Sequence, residues 1–164
     1  MNCFPQISVV VPAHEVEPGI LLKSLSSLAK QSLAAREYEV VVFDDGSRDS
    51  TPQVIQDFIQ DKPQFRYFRH ERCQGISATR NSAIQEARGS LIALVDADDY
   101  LEAKSLERAL LFHRKNPDVL YSYSRHIRVN SSGEVLYKVD SRPFDPELLL
   151  HINFVAHLKC FSRE

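Results

Sequence analysis

Leu91-Ile92-Ala93-Leu94-Val95-Asp96-Ala97-Asp98-Asp99 is an apolar run that ends abruptly in three carboxylates. Such a run predicts a strand buried on both faces of a sheet. Its carboxylates then emerge at the C-terminal end, where open α/β sheets bind ligands. Carboxylates this close repel one another unless a cation stands among them. Oxygen donors of this kind suit Mg²⁺ or Mn²⁺.

Upstream, Ile7 to Val11 predicts a strand closed by Pro12, followed by the loop Pro12-Ala13-His14-Glu15. Pro18 suits the first turn of a helix whose apolar face is Ile20, Leu21, Leu25 and Leu28. Tyr38 to Phe43 is a second strand, ending in the polar turn Asp44-Asp45-Gly46-Ser47. Ser50 or Thr51 caps the next helix, with Val54, Ile55, Phe58 and Ile59 as its buried stripe. Phe65 to Arg69 is a third strand, and His70-Glu71-Arg72 opens a charged loop that is solvated or borders the ligand site. Ser77 caps a helix through Ala83 and Ile84, and Gly89 stops it.

Downstream, Leu101 to Lys115 predicts a helix with Leu106, Leu110 and His113 on one side, the histidine serving as packing. Val119 to Ser124 is a fifth strand, Arg128 to Lys138 a hairpin turning at Ser131-Ser132-Gly133, Glu147 to Leu150 a short helix and Phe154 to Phe161 a final strand. Strands alternating with helices predict a wound, mainly parallel sheet with helices on both faces.

The 164 residues are 43% hydrophobic with a formal net charge of −2, enough for one domain with a core. No basic field argues for nucleic acid. Cys3, Cys73 and Cys160 form no CxxC pair and read as free thiols in a reducing compartment. No signal peptide is evident, and no apolar run approaches the roughly 20 residues that cross a bilayer.

On a parallel sheet, strand-end loops of one side converge on one cleft. His14 and Glu15, Asp44 and Asp45, and Asp96 to Asp99 therefore become neighbours. Alone, Asp-Asp-Gly-Ser is a turn and Asp-x-Asp a solvated loop; together they mark a site. Val9 to Glu15, Val42 to Thr51, Gly75 with Ala78-Thr79-Arg80-Asn81, and Leu94 to Asp99 resemble the glycosyltransferase family 2 signature in order and spacing. Phe144 to Leu150 and Asn153 to Phe161 are similar, more weakly, to members that build bacterial surface polysaccharide.

The resemblance implies a GT-A fold, an α/β Rossmann-like sandwich binding a nucleotide-diphospho-sugar. Residues 1–164 are then one GT-A-type domain. Residues 1–115 form the donor part and 116–164 begin the acceptor side, with the remainder beyond Glu164. Pro12, Ala13, His14 and Glu15 line the nucleobase pocket, where the His14 ring stacks on the base or remains a surface loop residue. Asp45 accepts the uracil N3–H, which favours a UDP or dTDP donor. Asp44 contacts the base indirectly or stabilises the turn. Arg80 meets the diphosphate or forms a surface ion pair.

Asp96, with Ala97 beside it, reaches the ribose or a metal-bound water, and Asp98 ligates Mg²⁺ or Mn²⁺. Asp99 joins that shell or caps the following helix. His151 and His157 belong to the segment that approaches the acceptor, with His157 on the last strand the better candidate. The general base of an inverting transfer is unassigned, because in the family it lies beyond the strand ending near Phe161. The chain by itself is then expected to bind nucleotide and metal but to transfer sugar poorly. The implied partners are the nucleotide-sugar donor and a glycan or lipid-linked acceptor, with no nucleic acid. The implied place is the cytoplasm, at the inner face of the membrane.

Other classes fit less well. A receiver domain or a haloacid-dehalogenase-type phosphatase needs its acidic pair after the first strand, where this chain has Pro12-Ala13-His14-Glu15. A Rossmann dehydrogenase needs Gly-x-Gly-x-x-Gly there. The runner-up is a non-catalytic nucleotide-sugar-binding or interaction module.

Overall fold

The computed structural model describes residues 4–130, 132–139, 142–151, 155 and 157–163. Cys3, Ser131, Asn153, Phe154 and Glu164, named above, lie outside them. The elements run β1 (Ile7–Ala13), α1 (Pro18–Ala29), β2 (Tyr38–Asp44), α2 (Thr51–Ile59), β3 (Phe65–Arg69), α3 (Ile76–Glu86) and β4 (Leu91–Leu94). They continue with α4 (Ser105–Lys115), β5 (Tyr121–Ser122), β6 (His126–Val129), β7 (Val135–Val139), α5 (Pro146–Leu149) and β8 (Lys159–Ser162).

One sheet has the order β3-β2-β1-β4-β8-β5, and β6 and β7 form a separate hairpin. β1 pairs in parallel with β2 and β4, and β2 with β3. β8 is antiparallel to both β4 and β5. The sheet is therefore mainly parallel, as expected, with a mixed edge. β1 and β2 are buried along their whole length, as strands with apolar residues on both faces are when both faces are covered.

Side-chain alternation divides the core. Val9, Val11, Val40, Val42 and Ala93 face one way and pack with Leu21, Leu25, Leu28, Ile55 and Leu106 from α1, α2 and α4. Val10, Val41, Phe43 and Ile92 face the other way and meet Ala83 of α3 and Ala87 just past its end. Each fully buried Leu or Ile in the first layer contributes about 1.5–3 kcal/mol.

Several local expectations shift. Ile20 is 46% exposed, because α1 turns Leu21, Ser24, Leu25 and Leu28 inward instead. Glu17 caps this helix, its carboxylate accepting the N–H groups of Gly19 and Ile20. Ser50 makes no side-chain cap bond on α2; Asp49 accepts the Thr51 N–H at 2.9 Å. Ser77 lies inside α3, which starts after Gly75. α4 begins at Ser105 rather than Leu101, and β5 holds two residues of the expected six. His113 stays structural, its Nε2 2.9 Å from the Ser122 hydroxyl.

Gly89 is more than a helix stop. A Cβ there would lie 2.7 Å from the Ser8 nitrogen, and its own N–H donates to Ser8 Oγ at 2.8 Å. Ser8 Oγ in turn donates to buried Glu39 at 2.6 Å, and Arg66 pairs with the same carboxylate at 3.1 Å. This polar knot at the start of the strands sets the entry of β4 against β1. The acidic end of β4 is thereby held at the opposite edge, beside the ends of β1 and β2.

Candidate functional site

The loops after β1 and β2 are laced together by their backbones. The Asp45 N–H donates to the Ala13 carbonyl at 2.8 Å. The Glu15 N–H donates to Ser47 Oγ, and the Val16 N–H to the buried Thr51 hydroxyl. Glu15 adopts a left-handed φ of 47°, and the bond to Ser47 holds it there. His14 Nδ1 lies 3.0 Å from the Asp45 carbonyl, which sets the ring over the second loop.

The two neighbouring aspartates do different work. Asp44 is fully buried; one oxygen accepts the Ser47 N–H and hydroxyl, and the other meets Tyr67 and Arg69 at 3.1 Å each. Burial and the Asp44 charge together push the Tyr67 phenol up to about 12. Of the two roles weighed for Asp44, these contacts are those of a turn stabiliser.

Asp45 gathers the loop after β3. Oδ1 accepts the Gln74 N–H at 2.9 Å and faces His70 Nδ1 at 2.8 Å. Oδ2 accepts the Gly75 N–H at 2.8 Å and the Cys73 thiol at 3.2 Å. Burial works against this charge. The bonds from His70, Gln74, Cys73 and Gly75 overcome it and hold the carboxyl well below the ordinary carboxylate range.

His70 is therefore not a solvated loop residue. Its side chain is 10% exposed, its ring packs on Phe43 at 4.6 Å, and its second nitrogen lies 3.0 Å from Ser82 Oγ on α3. One signal in the sequence marks it: it follows directly on β3, a further strand end of the same edge. The N–H donors of Gln74 and Gly75 carry no such signal, since backbone N–H groups have no residue identity. A cleft of about 260 Å³ opens here among His14, Glu15, Gly46, Arg69, Arg72 and Cys73.

At the end of β4, Asp96 is half-buried and Ala97 buried. Arg80, on α3, reaches across, with Nη2 2.5 Å from Asp96 Oδ1. The Asp99 N–H donates to the Asp96 carbonyl at 3.0 Å, so the chain curls back at once. Asp98 points outward and is exposed. Asp99 Oδ2 meets His157 Nδ1 at 3.0 Å. His157 lies just before β8, not on it. The Asp99 bond raises the His157 pKa against the opposing effect of burial.

Asp96, Asp99 and His157 bring one ligand atom each to within 4.8 Å of one another. Two carboxylates and an imidazole at that spacing fit a divalent cation. Asp98 is not in this group. His14, Asp45 and Cys73 form a second such group at the cleft. The sheet edge thus brings together Pro12 to Glu15, Asp44, Asp45, Arg80 and Asp96 to Asp98, with His70 and His157 added.

An open sheet carrying acidic groups at the ends of β2 and β4 is the architecture of a nucleotide-sugar transferase of the GT-A type, and similar solved structures have that fold. The chain belongs to glycosyl transferase family 2, whose family model matches residues 8–162. It is 36% identical over 135 residues to the poly(ribitol-phosphate) beta-N-acetylglucosaminyltransferase TarS of Staphylococcus aureus, covering 81% of this chain and 23% of that protein. Chondroitin synthase of Escherichia coli is 26% identical over 159 residues, covering 96% of this chain and 23% of that protein. A crystal structure of S. aureus TarS 1–349 in complex with UDP-GlcNAc superposes with a TM-score of 0.78 at 25% identity, covering 96% of this chain and 45% of that one. The chain spans 17% and 29% of the length of two further curated relatives, so it corresponds to a minor part of each.

Proposed function

We propose that this chain binds a nucleotide-diphospho-sugar, UDP- or dTDP-linked, and transfers its sugar with inversion to a glycan or lipid-linked acceptor. The place proposed is the cytoplasmic face of the membrane, in the synthesis of a bacterial-type surface polysaccharide. Among the described residues no helix is long and apolar enough to cross a membrane. The observation that carries this reading is the meeting of two groups at one edge. The Asp45-centred cleft lies at the ends of β1 and β2, and the Arg80–Asp96 pair lies at the end of β4. TarS, a relative, is named for transfer of N-acetylglucosamine and has been solved with UDP-GlcNAc.

Pro12, Ala13, His14 and Glu15 then form the wall against which the base lies. Asp45 accepts the base N–H. A carboxylate accepts about four hydrogen bonds, and all four are taken here. The thiol of Cys73, a weak donor at the cleft, is the partner that the base displaces. Asp44 keeps the turn in shape. Arg80 leaves Asp96 to grip the diphosphate, for which a planar guanidinium is suited. Asp96 and Asp98 hold Mg²⁺ or Mn²⁺, which when bound offsets the charge that develops on the departing nucleoside diphosphate. The base that deprotonates the acceptor is left unassigned.

Calorimetry with UDP and Mn²⁺ on the wild type and on Asp98→Ala tests the reading. UDP binding that requires the ion and weakens in the variant is expected. Binding that ignores both the ion and the substitution would count against the site.

A further inference from the structure

Three strand ends bring an imidazole, a carboxylate and a thiol to one side of the cleft. His14 stands after β1, Asp45 just past β2, and Cys73 in the loop between β3 and α3. One ligand atom from each lies within 4.8 Å of the other two, with Asp45 buried and His14 and Cys73 exposed above it. A tetrahedral zinc ion holds such atoms about 3.3–3.6 Å apart, so the set needs only a small closing movement. Cys73 Sγ and Asp45 Oδ2, at 3.2 Å, are already close to that spacing. His14 and Cys73 both line the cleft, which gives an ion its way in and leaves room for water as a fourth ligand.

The carboxylate is held as a ligand should be. Oδ1 accepts the Gln74 N–H and faces His70 Nδ1, and Oδ2 accepts the Gly75 N–H. Partners of this kind fix the direction of a ligating group. Only the Cys73 thiol has to give way. A metal ion takes the place of the thiol proton between Sγ and Oδ2, and that proton passes to solvent.

We infer that His14, Asp45 and Cys73 form a Zn²⁺ site, and that zinc and the nucleotide exclude each other there. The zinc site stands on side-chain geometry alone. The exclusion rests on the proposal above, in which the base lies against His14 and displaces the thiol from Asp45. An ion held by all three residues takes up both contacts, so zinc blocks the donor. Thiolate and imidazole select Zn²⁺ strongly over Mg²⁺ and Mn²⁺. The ion proposed for Asp96 and Asp98 is oxygen-bound and stands at the end of β4, so the two sites differ in chemistry as well as in place.

The test uses the 164-residue chain with Co²⁺, whose bond to a thiolate gives a charge-transfer band in the near ultraviolet. A band that Zn²⁺ bleaches, that survives in Cys3→Ser and that disappears in Cys73→Ser is expected. Serine keeps a donor for Asp45, and a thermal melt of the variant checks that the loop keeps its hold. Cys73→Ser and His14→Ala should each weaken Zn²⁺ binding by more than about tenfold, the least that losing even an outer partner costs. With free Zn²⁺ fixed by a metal buffer, UDP at ten times its own Kd should raise the zinc needed for half-occupancy about tenfold. No thiolate band in the wild type, or a band that Cys73→Ser leaves in place, overturns the zinc site and leaves the donor reading standing. UDP that binds the zinc-loaded chain as well as the zinc-free one overturns the exclusion, and with it the placing of the base against His14 and Asp45. UDP that fails to bind the zinc-free chain overturns the donor reading and the exclusion together, while the band still decides the zinc site.

Discussion

Asp45, just past β2, accepts the N–H of Gly75 at 2.8 Å, and Gly75 is the residue from which α3 starts. One carboxylate thereby joins the second strand end to the helix that carries Arg80. The wall of the cleft and the residue facing Asp96 are set by the same bond.

Asp45→Asn should be costly. An amide keeps the shape but turns an NH₂ toward N–H donors, so buried groups lose their acceptor, a loss of about 2–4 kcal/mol. The wild-type carboxyl titrates well below its unfolded value, so its contribution is complete above the ordinary carboxylate range. It is lost as pH falls through that range toward the lowered folded value. Urea unfolding at neutral pH and at successively lower pH should show the gap between wild type and variant closing on acidification. A gap constant with pH would show that the charge is not what stabilises the loop.

Asp44→Ala removes the shared partner of Tyr67, Arg69 and Ser47 from a site with no exposure. Breaking a buried charge network in this way costs about 3–5 kcal/mol. In the gentler Asp44→Asn, the Tyr67 phenol, now at about 12, should titrate lower while burial still keeps it above an ordinary tyrosine. Ultraviolet titration of wild type against variant reads that difference directly.

Gly46→Ala should deform the cleft. Its φ is +69°, and a Cβ would lie 2.6 Å from the Arg72 carbonyl carbon and 2.8 Å from the Cys73 nitrogen. Neither backbone atom can yield without moving the loop held by Asp45, so a cost of about 2 kcal/mol or more is expected. Gly133, in the β6–β7 hairpin, shares the positive φ but has open space around its missing Cβ. Gly133→Ala should cost about 1–2 kcal/mol from backbone strain alone and leave UDP affinity unchanged. Thermal melts and UDP titrations of the pair separate crowding from strain.

Cys73 is exposed, but its bond to Asp45 raises its pKa, so less of it is thiolate at neutral pH than in a free cysteine. Iodoacetamide labelling of Cys73 should therefore begin slowly and quicken at a higher pH than for glutathione. Cys160, buried and pushed up to about 12, should resist until the protein unfolds. Peptide mass spectrometry across a pH series distinguishes the two thiols.

The sequence by itself determined the sheet of β1 to β4. Ile7 to Val11, Tyr38 to Phe43 and Leu91 to Val95 carry apolar residues on both side-chain faces, and only a strand covered from both sides buries such a run. The strand-end carboxylates were legible for the same reason, since polar groups at the tips of buried strands must emerge at one edge. Only the tertiary structure decided what those groups touch. Asp44 and Asp45 are adjacent and chemically identical, yet one fastens its own turn and the other holds a loop about thirty residues away. The donors on Asp45 include the N–H groups of Gln74 and Gly75, which no side-chain pattern announces. The His70 loop read as solvated or as bordering the site, and the packing of His70 on Asp45 decides against the first; His157 was misplaced as a strand residue. Their partners, Asp45 and Asp99, become near only when the strands stand side by side, so burial and charge pairing there follow from three-dimensional packing rather than from spacing along the chain.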